Sequence, residues 1–176
     1  GSAGSFTLDQ ARNRFGPADW YPQDHLPMPP IVAVGRESSG IMACSLCHYP
    51  NGQGKPENAS VVALDPAYFI QQLQDMRDGL RKNANPAKAN TFNMIAFAVN
   101  MTDEEIQQAA EYYGAMQWRQ WLEVVETDIV PLTYLRGGLH IPYEGDEAGE
   151  EPIGNRIIEM PVDPEGTELW RNPRAG

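Results

Sequence analysis

Two stretches of the chain repeat apolar residues at helical spacing and give its clearest predicted helices. In the first, Asp65 is placed to act as N-cap, and Pro66 takes the first helical position, where its missing N–H costs no hydrogen bond. Gly79 and the polar stretch 82–86 should end this helix. Four apolar side chains recur every three or four positions and are expected to share one buried stripe: Phe69, Leu73, Met76 and Leu80.

The second predicted helix begins at Thr102. Thr102 and Glu105 have the spacing of a capping box, in which the side chain of each residue bonds to the backbone N–H of the other. The two acidic residues between them favour the positive end of the helix. We expect this helix to run to about Gln117. Its inner face is predicted to consist of Ile106, Ala109, Ala110 and Tyr113.

These helices lie in a compact region, residues 33–117, which follows a less regular N-terminal segment, residues 1–32. The segment opens with Gly-Ser-Ala-Gly-Ser, which we interpret as a cloning remnant, so that any native signal peptide has been removed. A short helix over 8–15, capped by Thr7, precedes a proline-dense stretch. Since proline fixes φ and donates no hydrogen bond, this stretch should run extended along a surface.

Residues 118–176 form a C-terminal extension of different character, with 12 acidic and 5 basic residues and a net charge of −7. Apolar runs at 121–129 and 156–160 are its two candidate strands, and 145–151 should be an acidic loop. The extension is too rich in Trp, Ile, Leu and Tyr for plain disorder. We therefore expect it to pack across the compact region.

The charge of the whole chain excludes two classes of partner. With 24 Asp and Glu against 13 Lys and Arg, the formal net charge is −11. Nucleic acids and anionic membrane surfaces are bound by basic footprints, so the sequence predicts neither interaction. No apolar run approaches the ~20 residues of a membrane span. The composition predicts a soluble, acidic protein rich in loops.

The candidate chemistry is concentrated in residues 44–48, which read Cys-Ser-Leu-Cys-His and contain both cysteines of the chain. C-x-x-C-H is the signature of covalent c-type haem attachment. On one helical turn, Cys44 and Cys47 can each add to a vinyl group of one porphyrin and form two thioethers. His48 then lies under the ring as an iron ligand. The motif predicts one covalently attached haem c.

Three other interpretations of the motif compete with haem attachment. A structural zinc site needs four ligands, but only His25 and His140 remain beyond these three residues, without zinc-finger spacing. A thioredoxin-like redox pair usually lies in a β-α-β pattern, which is not visible here. A simple surface disulfide would not explain why His48 directly follows the second cysteine. Because both cysteines of the chain lie inside this one motif, haem attachment is the favoured interpretation.

The iron of an electron carrier usually has two axial ligands, and Met opposite His raises the reduction potential. Of seven methionines, five lie beside the motif, within or at the end of the predicted helices, or outside the compact region. Met101 precedes Thr102 and can pack against Ile106 as a hydrophobic staple, which gives it a structural role. Met94 follows a polar loop, 88–93, and begins an apolar run. We predict Met94 as the ligand; the alternative is an ordinary core methionine.

On these residues the compact region resembles a class I c-type cytochrome. The glycine-rich turn 51–54, the helix 68–81 and the position of Met94 eight residues before Thr102 are similar to the first haem module of bacterial diheme cytochrome c proteins. The resemblance implies an all-α fold, a small helical domain wrapped around one covalent haem, with long and mostly irregular extensions at both ends. The apolar residues expected around the haem are Leu46, Phe69, Leu73, Ile95, Phe97 and Tyr112.

The sequence departs from this family in one respect that concerns the haem histidine. A proline shortly before the middle helix commonly offers its carbonyl to the N–H of that histidine, and residues 57–61 contain no proline. Any residue has a carbonyl, so the bond to His48 is expected to survive with its acceptor unassigned. Arg77 or Arg81 would pair with a haem propionate, the alternative being ordinary solvated charges.

The extension resembles a linker between haem modules. Residues 123–128 and 152–159 are similar to the segment that joins the two modules of diheme cytochromes, yet no second C-x-x-C-H follows. The chain is therefore expected to hold one haem, either as a monohaem protein or as one shortened after the linker.

The resemblance implies a periplasmic electron-transfer protein, exported because this motif receives haem outside the cytoplasm, with His48 and Met94 as axial ligands. Its expected partners are redox proteins: a dehydrogenase, an oxidase or another cytochrome. The alternative is a haem-bearing subunit of a periplasmic dehydrogenase complex, in which the extension contacts the enzyme or a second haem module. A gas-binding or catalytic haem needs an open iron position, and nothing in the sequence favours it.

Overall fold

The computed structural model describes residues 2, 4–55, 57–84, 89–136 and 139–161. The chain divides into two compact units, Gly1–Trp118 and Arg119–Gly176, which we treat separately. The helices of the first unit are α1 (Leu8–Arg12), α2 (Pro30–Ala33), α3 (Cys44–His48), α4 (Pro66–Arg77), α5 (Ala89–Asn100) and α6 (Asp103–Gly114). The expectation that the extension packs across the compact region stays a prediction.

Helix α4 begins where its local signals predict. The Asp65 carboxylate accepts the N–H groups of Ala67 and Tyr68 at 2.9 and 3.1 Å, and Pro66 is the first helical residue. The helix ends at Arg77, earlier than expected, so the predicted stripe loses its last member. Leu80 lies beyond the helix and is 75% exposed. Residues 85 and 86 of the predicted stop signal lie outside the described residues.

Helix α5 corrects the prediction of a polar loop before Met94. Residues 89–93 form the first turns of this helix, and residue 88 lies outside the described residues. The polar side chains at these positions are mostly on the exposed side, while Ala98 is buried. The sequence of this helix begins with uncharged polar residues and continues with apolar ones. This pattern is also typical of a loop followed by a buried segment, so the sequence alone did not indicate a helix here.

Helix α6 has the predicted cap and inner face. Thr102 and Glu105 bond to each other's backbone N–H over 2.9 and 3.2 Å. The helix ends at Gly114, three residues before the expected Gln117. The four residues predicted for its inner face are all buried: Ile106, Ala109, Ala110 and Tyr113.

The core of the first unit joins α6 to α4, α5 and the segments before the haem motif. Helix α4 packs against both α5 and α6, and α2 packs against α3 and α6. Helix α2, before the motif, is only four residues long, and a 3₁₀ turn at Glu37–Ser39 follows it. The buried cluster consists of Ile31, Val32, Ile41, Val61, Leu73, Ala98, Met101, Ile106, Ala109, Tyr112 and Tyr113.

The N-terminal segment belongs to the first unit and begins with the predicted short helix. Thr7 and Gln10 form a capping box at α1, with bonds of 2.8 and 3.3 Å. The helix ends at Arg12 rather than at residue 15. The proline-dense stretch that follows has no regular structure until α2 begins at Pro30.

The second unit contains short antiparallel strands at positions that the sequence did not indicate. Strand β1 (Ile129–Pro131) pairs with β4 (Glu150–Pro152), and β2 (Thr133–Arg136) pairs with β3 (Leu139–Pro142). The two predicted strands, 121–129 and 156–160, were wrong: both runs are irregular except for Ile129, which begins β1. The predicted acidic loop contains a 3₁₀ turn, Gly145–Glu147, and then the start of β4. Residues 162–176 of the extension lie outside the described residues.

None of the described helices is both long enough and apolar enough to cross a membrane.

Candidate haem-attachment site

Helix α3 consists of the C-x-x-C-H motif and nothing else, so that Cys44 and Cys47 lie on one helical turn as predicted. No disulfide joins them. The Cys44 Sγ donates to the carbonyl of Ile31 at 3.4 Å. Burial raises the pKa of the Cys44 thiol to about 12, which keeps it protonated at neutral pH. Cys44 therefore presents a protonated thiol on the same helical turn as Cys47.

His48 is oriented by one hydrogen bond. Its Nδ1–H donates to the carbonyl of Ala59 over 2.8 Å, which identifies the acceptor that the sequence could not assign. Burial lowers the pKa of His48, and the bond to Ala59 opposes that shift in part. The ring is thus neutral at pH 7, with the lone pair on Nε2. A neutral imidazole fixed by a carbonyl on its other nitrogen is the usual form of a metal-ligating histidine.

A glycine allows the carbonyl of Ala59 to lie close to the motif. Gly54 has φ +81°, and a Cβ built on it would come within 2.8 Å of the Ala59 carbonyl oxygen. The Gly54 N–H donates to the carbonyl of His48 over 2.9 Å, so the turn after the motif folds back onto α3. Any larger residue at this position would move the acceptor away from the His48 ring.

Met94 and Met101 occupy different environments. Met101 is only 7% exposed and lies within the core cluster together with Ile106, consistent with the structural role assigned to it. Met94 lies on α5, is half-buried, and borders the cluster from outside, as Cys44 also does. The thioether of Met94 and the thiol of Cys44 thus both lie at the margin of one apolar core.

The two arginines considered for a haem propionate make other contacts in this structure. Arg77 donates to the carbonyls of Ala98 and Met101 at 3.1 and 2.9 Å, and to the carboxylate of Asp103 at 2.7 Å. It therefore connects α4 to the end of α5 and the start of α6, and is not an ordinary solvated charge. Arg81 donates to a glutamine side chain of α4. Pairing of either arginine with a propionate stays a prediction.

The histidines weighed as zinc ligands have partners of their own. The Nε2 of His25 lies 3.1 Å from both carboxylate oxygens of Asp19. In the second unit, the His140 Nδ1 lies 2.9 Å from the Thr133 hydroxyl. Within the described ranges, no group of three or more His, Cys, Asp or Glu side chains is arranged to hold a metal ion.

Sequence reasoning missed the hydroxyl groups of two adjacent tyrosines. Tyr112 donates to the carbonyl of Pro50 over 2.8 Å, and Tyr113 donates to the carbonyl of Tyr49 over 3.3 Å. Helical spacing indicated Tyr113 only as an apolar contact of the inner face. The hydroxyl of Tyr113 could have indicated this bond, since a tyrosine buried at a core position usually hydrogen-bonds to a buried acceptor.

The donor set of this site fits a covalently attached haem. Two thiols lie on one turn, the adjacent imidazole is neutral with a free lone pair on Nε2, and apolar side chains surround the motif. The sequence matches the family model Cytochrome c over residues 32–116. No curated protein gives a significant match.

Two solved structures are similar to part of the chain. Reduced recombinant cytochrome c4 from Pseudomonas stutzeri is 27% identical, with a TM-score of 0.42, and the match covers 47% of this chain and 43% of that one. Thiosulfate dehydrogenase from Marichromatium purpuratum, in its as-isolated form, is 32% identical, with a TM-score of 0.40 and coverages of 47% and 16%. The matched part is thus less than half of either protein.

The family match and the residues of the site agree on the same region of the chain. The matched residues include the whole C-x-x-C-H helix, the loop that accepts the His48 N–H, and helices α4 to α6. Residues 32–116 therefore form a cytochrome c domain of the class I c type, which binds haem c covalently through Cys44 and Cys47.

Proposed function

We propose that this protein is a periplasmic electron carrier whose haem iron is held between His48 and Met94. Bound haem supplies a one-electron Fe(II)/Fe(III) couple. The observation that supports this proposal most is the bond from the His48 Nδ1–H to Ala59, because it leaves Nε2 as the ligating atom. The protein's part is to hold both ligands, exclude water from the ring, and bind no substrate at the iron.

The environment of Met94 supports its assignment as the second ligand. Its side chain is half-buried at the margin of the core, whereas Met101 is a member of the core cluster and its removal would open a cavity. Met opposite His is the ligation that raises the reduction potential of small cytochromes. Export follows from the chemistry of attachment, since this motif receives its haem outside the cytoplasm.

The ligand assignment is tested by two alanine variants. In Met94→Ala the sixth position of the iron opens, so the oxidised protein should lose its sulfur-to-iron absorption band, the reduced protein should bind carbon monoxide, and the potential should fall. Met101→Ala is the matched control: it should keep the band and lose about 2 kcal/mol of unfolding free energy. If only Met101→Ala removed the band, the two roles would be reversed; if neither did, the ligand would be another residue.

A second candidate function is a haem-bearing subunit of a periplasmic dehydrogenase complex. The observation that favours it is the surface of the second unit, in which large apolar side chains are exposed to solvent. Val124 is 89% exposed and Ile157 is 99% exposed, and Leu135 is also largely uncovered. Several such side chains in one small acidic unit favour contact with another protein.

A further inference from the structure

Two consecutive tyrosines of α6 bind the two backbone carbonyls that directly follow the haem histidine. The Tyr112 hydroxyl donates to Pro50 over 2.8 Å, and the Tyr113 hydroxyl donates to Tyr49 over 3.3 Å. Both rings are buried, with 6% and 1% of their surface exposed. We name Tyr112 and Tyr113 the tyrosine pair. Through it, the last helix of the haem domain holds the chain at the point where it leaves α3.

The backbone that the tyrosine pair holds is strained. Tyr49 has φ 61° and ψ 159°, a conformation that is essentially confined to glycine. A side-chain-bearing residue remains in such a conformation only where its surroundings over-determine it. The Tyr49 carbonyl is held from two sides, because the N–H of Gly52 also donates to it over 3.2 Å. The Tyr113 hydroxyl is therefore part of what keeps residue 49 in place.

The N-terminal segment is connected to the same network. The Tyr112 hydroxyl gives its hydrogen to Pro50 and lies 3.2 Å from the Nδ1 of His25, which also bonds to the carbonyl of Leu26 over 2.8 Å. His25 is in turn held by Asp19 at 3.1 Å. A residue 87 positions away in the sequence thus also contacts the Tyr112 hydroxyl.

We propose that Tyr112 and Tyr113 are positioning residues that set the orientation of the His48 ring. The proposal rests on the proposed function, in which His48 is an axial ligand. If either hydroxyl is removed, the backbone of residues 49–50 can relax toward an ordinary φ. This change in the backbone then shifts the Cα of the neighbouring His48, while the Nδ1 of its ring stays bonded to the carbonyl of Ala59. The imidazole plane turns relative to the iron, and the ligand field changes.

The test uses Tyr112→Phe and Tyr113→Phe, which keep the rings and remove only the hydroxyls. At a fixed solution potential, each should change the ratio of oxidised to reduced protein by about threefold or more, equivalent to about 30 mV for a one-electron couple. The electron paramagnetic resonance g-values of the oxidised protein should move as well, because they depend on the orientation of the axial ligand planes. Tyr68→Phe, on the half-exposed face of α4, is the control and should change neither quantity.

A purely structural role gives a different result. If both variants lose unfolding free energy but keep the wild-type potential and g-values, the tyrosine pair does not position His48 and the proposal is wrong. A failure of the proposed function is visible independently, since the wild-type protein would then lack the sulfur-to-iron band.

A second variant tests the strained residue without removing a hydroxyl. Glycine adopts the backbone conformation of residue 49 without strain, so Tyr49→Gly should keep the wild-type potential and g-values. In that background, Tyr113→Phe should have a much smaller effect than it has in the wild type. An effect of equal size in both backgrounds would contradict the proposal.

Discussion

Single residues set the chemistry of this site through the hydrogen bonds that they make. His48 can ligate iron through Nε2 because burial lowers the pKa of its ring and because its Nδ1–H is bonded to the carbonyl of Ala59. Ala59 contributes only a carbonyl, so the identity of its side chain carries no information about this role. The residue that makes the contact possible is Gly54, since it lacks the Cβ that would displace the carbonyl.

This close approach predicts that Gly54→Ala destabilises the protein by about 2 kcal/mol or more, because it combines an unfavourable φ with a contact of 2.8 Å to Ala59. Denaturant unfolding of the two proteins measures the difference. Gly40→Ala is the matched control, since Gly40 also has a positive φ of +67° but has open space where the Cβ would lie. Equal losses in the two variants would show that φ alone matters and that the approach to Ala59 does not.

At the scale of the elements, the start of α6 is fixed by the carboxylate of Glu105, which accepts hydrogen bonds from two residues. Glu105 caps its own helix and also receives a bidentate pair of bonds from Arg36, at 2.7 and 3.0 Å. Arg36 donates in addition to the carbonyl of Asn100, the last residue of α5, over 2.7 Å. One ion pair thereby joins the segment before the haem motif to the junction between α5 and α6.

The pair predicts a pH dependence of stability. The hydrogen bond from Arg36 holds the pKa of Glu105 below its ordinary value of 4.5. A lowered folded-state pKa adds stability that is present above the unfolded-state value and is lost as pH falls through the folded-state value. Glu105→Gln should therefore lower the unfolding free energy at pH 7 and flatten its decline below about pH 4.5.

Urea unfolding at a series of pH values measures this difference. Glu104→Gln removes a neighbouring carboxylate from the same helical turn and should leave the slope close to that of the wild type. A Glu105→Gln protein with the full acid-dependent decline would assign that decline to other carboxylates.

On the scale of the whole molecule, the buried cluster among the described residues is formed by the first unit. All members of the buried cluster lie between Ile31 and Tyr113, and the side chains that border it lie between Met28 and Met116. The second unit has its own strand pairs, Ile129–Pro131 with Glu150–Pro152 and Thr133–Arg136 with Leu139–Pro142. The first unit contains the haem-attachment motif, whereas the described part of the second unit consists of short strands and irregular chain.

This division predicts that a chain ending at Trp118 keeps its covalent haem and its absorption spectrum. If the protein is a subunit of a dehydrogenase complex, the full chain from its native source should elute on size exclusion with dehydrogenase activity, and the shortened chain should elute alone. Elution of the full chain alone would contradict the subunit function and leave the free carrier. Loss of haem from the shortened chain would show that the first unit does not keep its haem on its own.

The sequence by itself determined the features that depend on neighbouring residues. The caps at Asp65 and Thr102 were predictable because a cap bonds to N–H groups two or three positions away. Both thioether positions were predictable for the same reason, since the motif is contiguous and forms a single turn. Helix ends were less accurate: α4 stops at Arg77, before the predicted stop signals, and α6 stops three residues before the expected Gln117, because local propensity there is weak.

Only the tertiary structure decided which distant groups meet. The carbonyl that orients His48 belongs to Ala59, eleven positions away, and the hydroxyls that hold the chain after it come from α6, more than sixty positions away. The short strands of the second unit were missed because each is three or four residues long and is stabilised by a partner rather than by its own pattern. Hydrogen bonds between remote residues leave no periodicity in the sequence, and they exist only once the core has brought their donors and acceptors together.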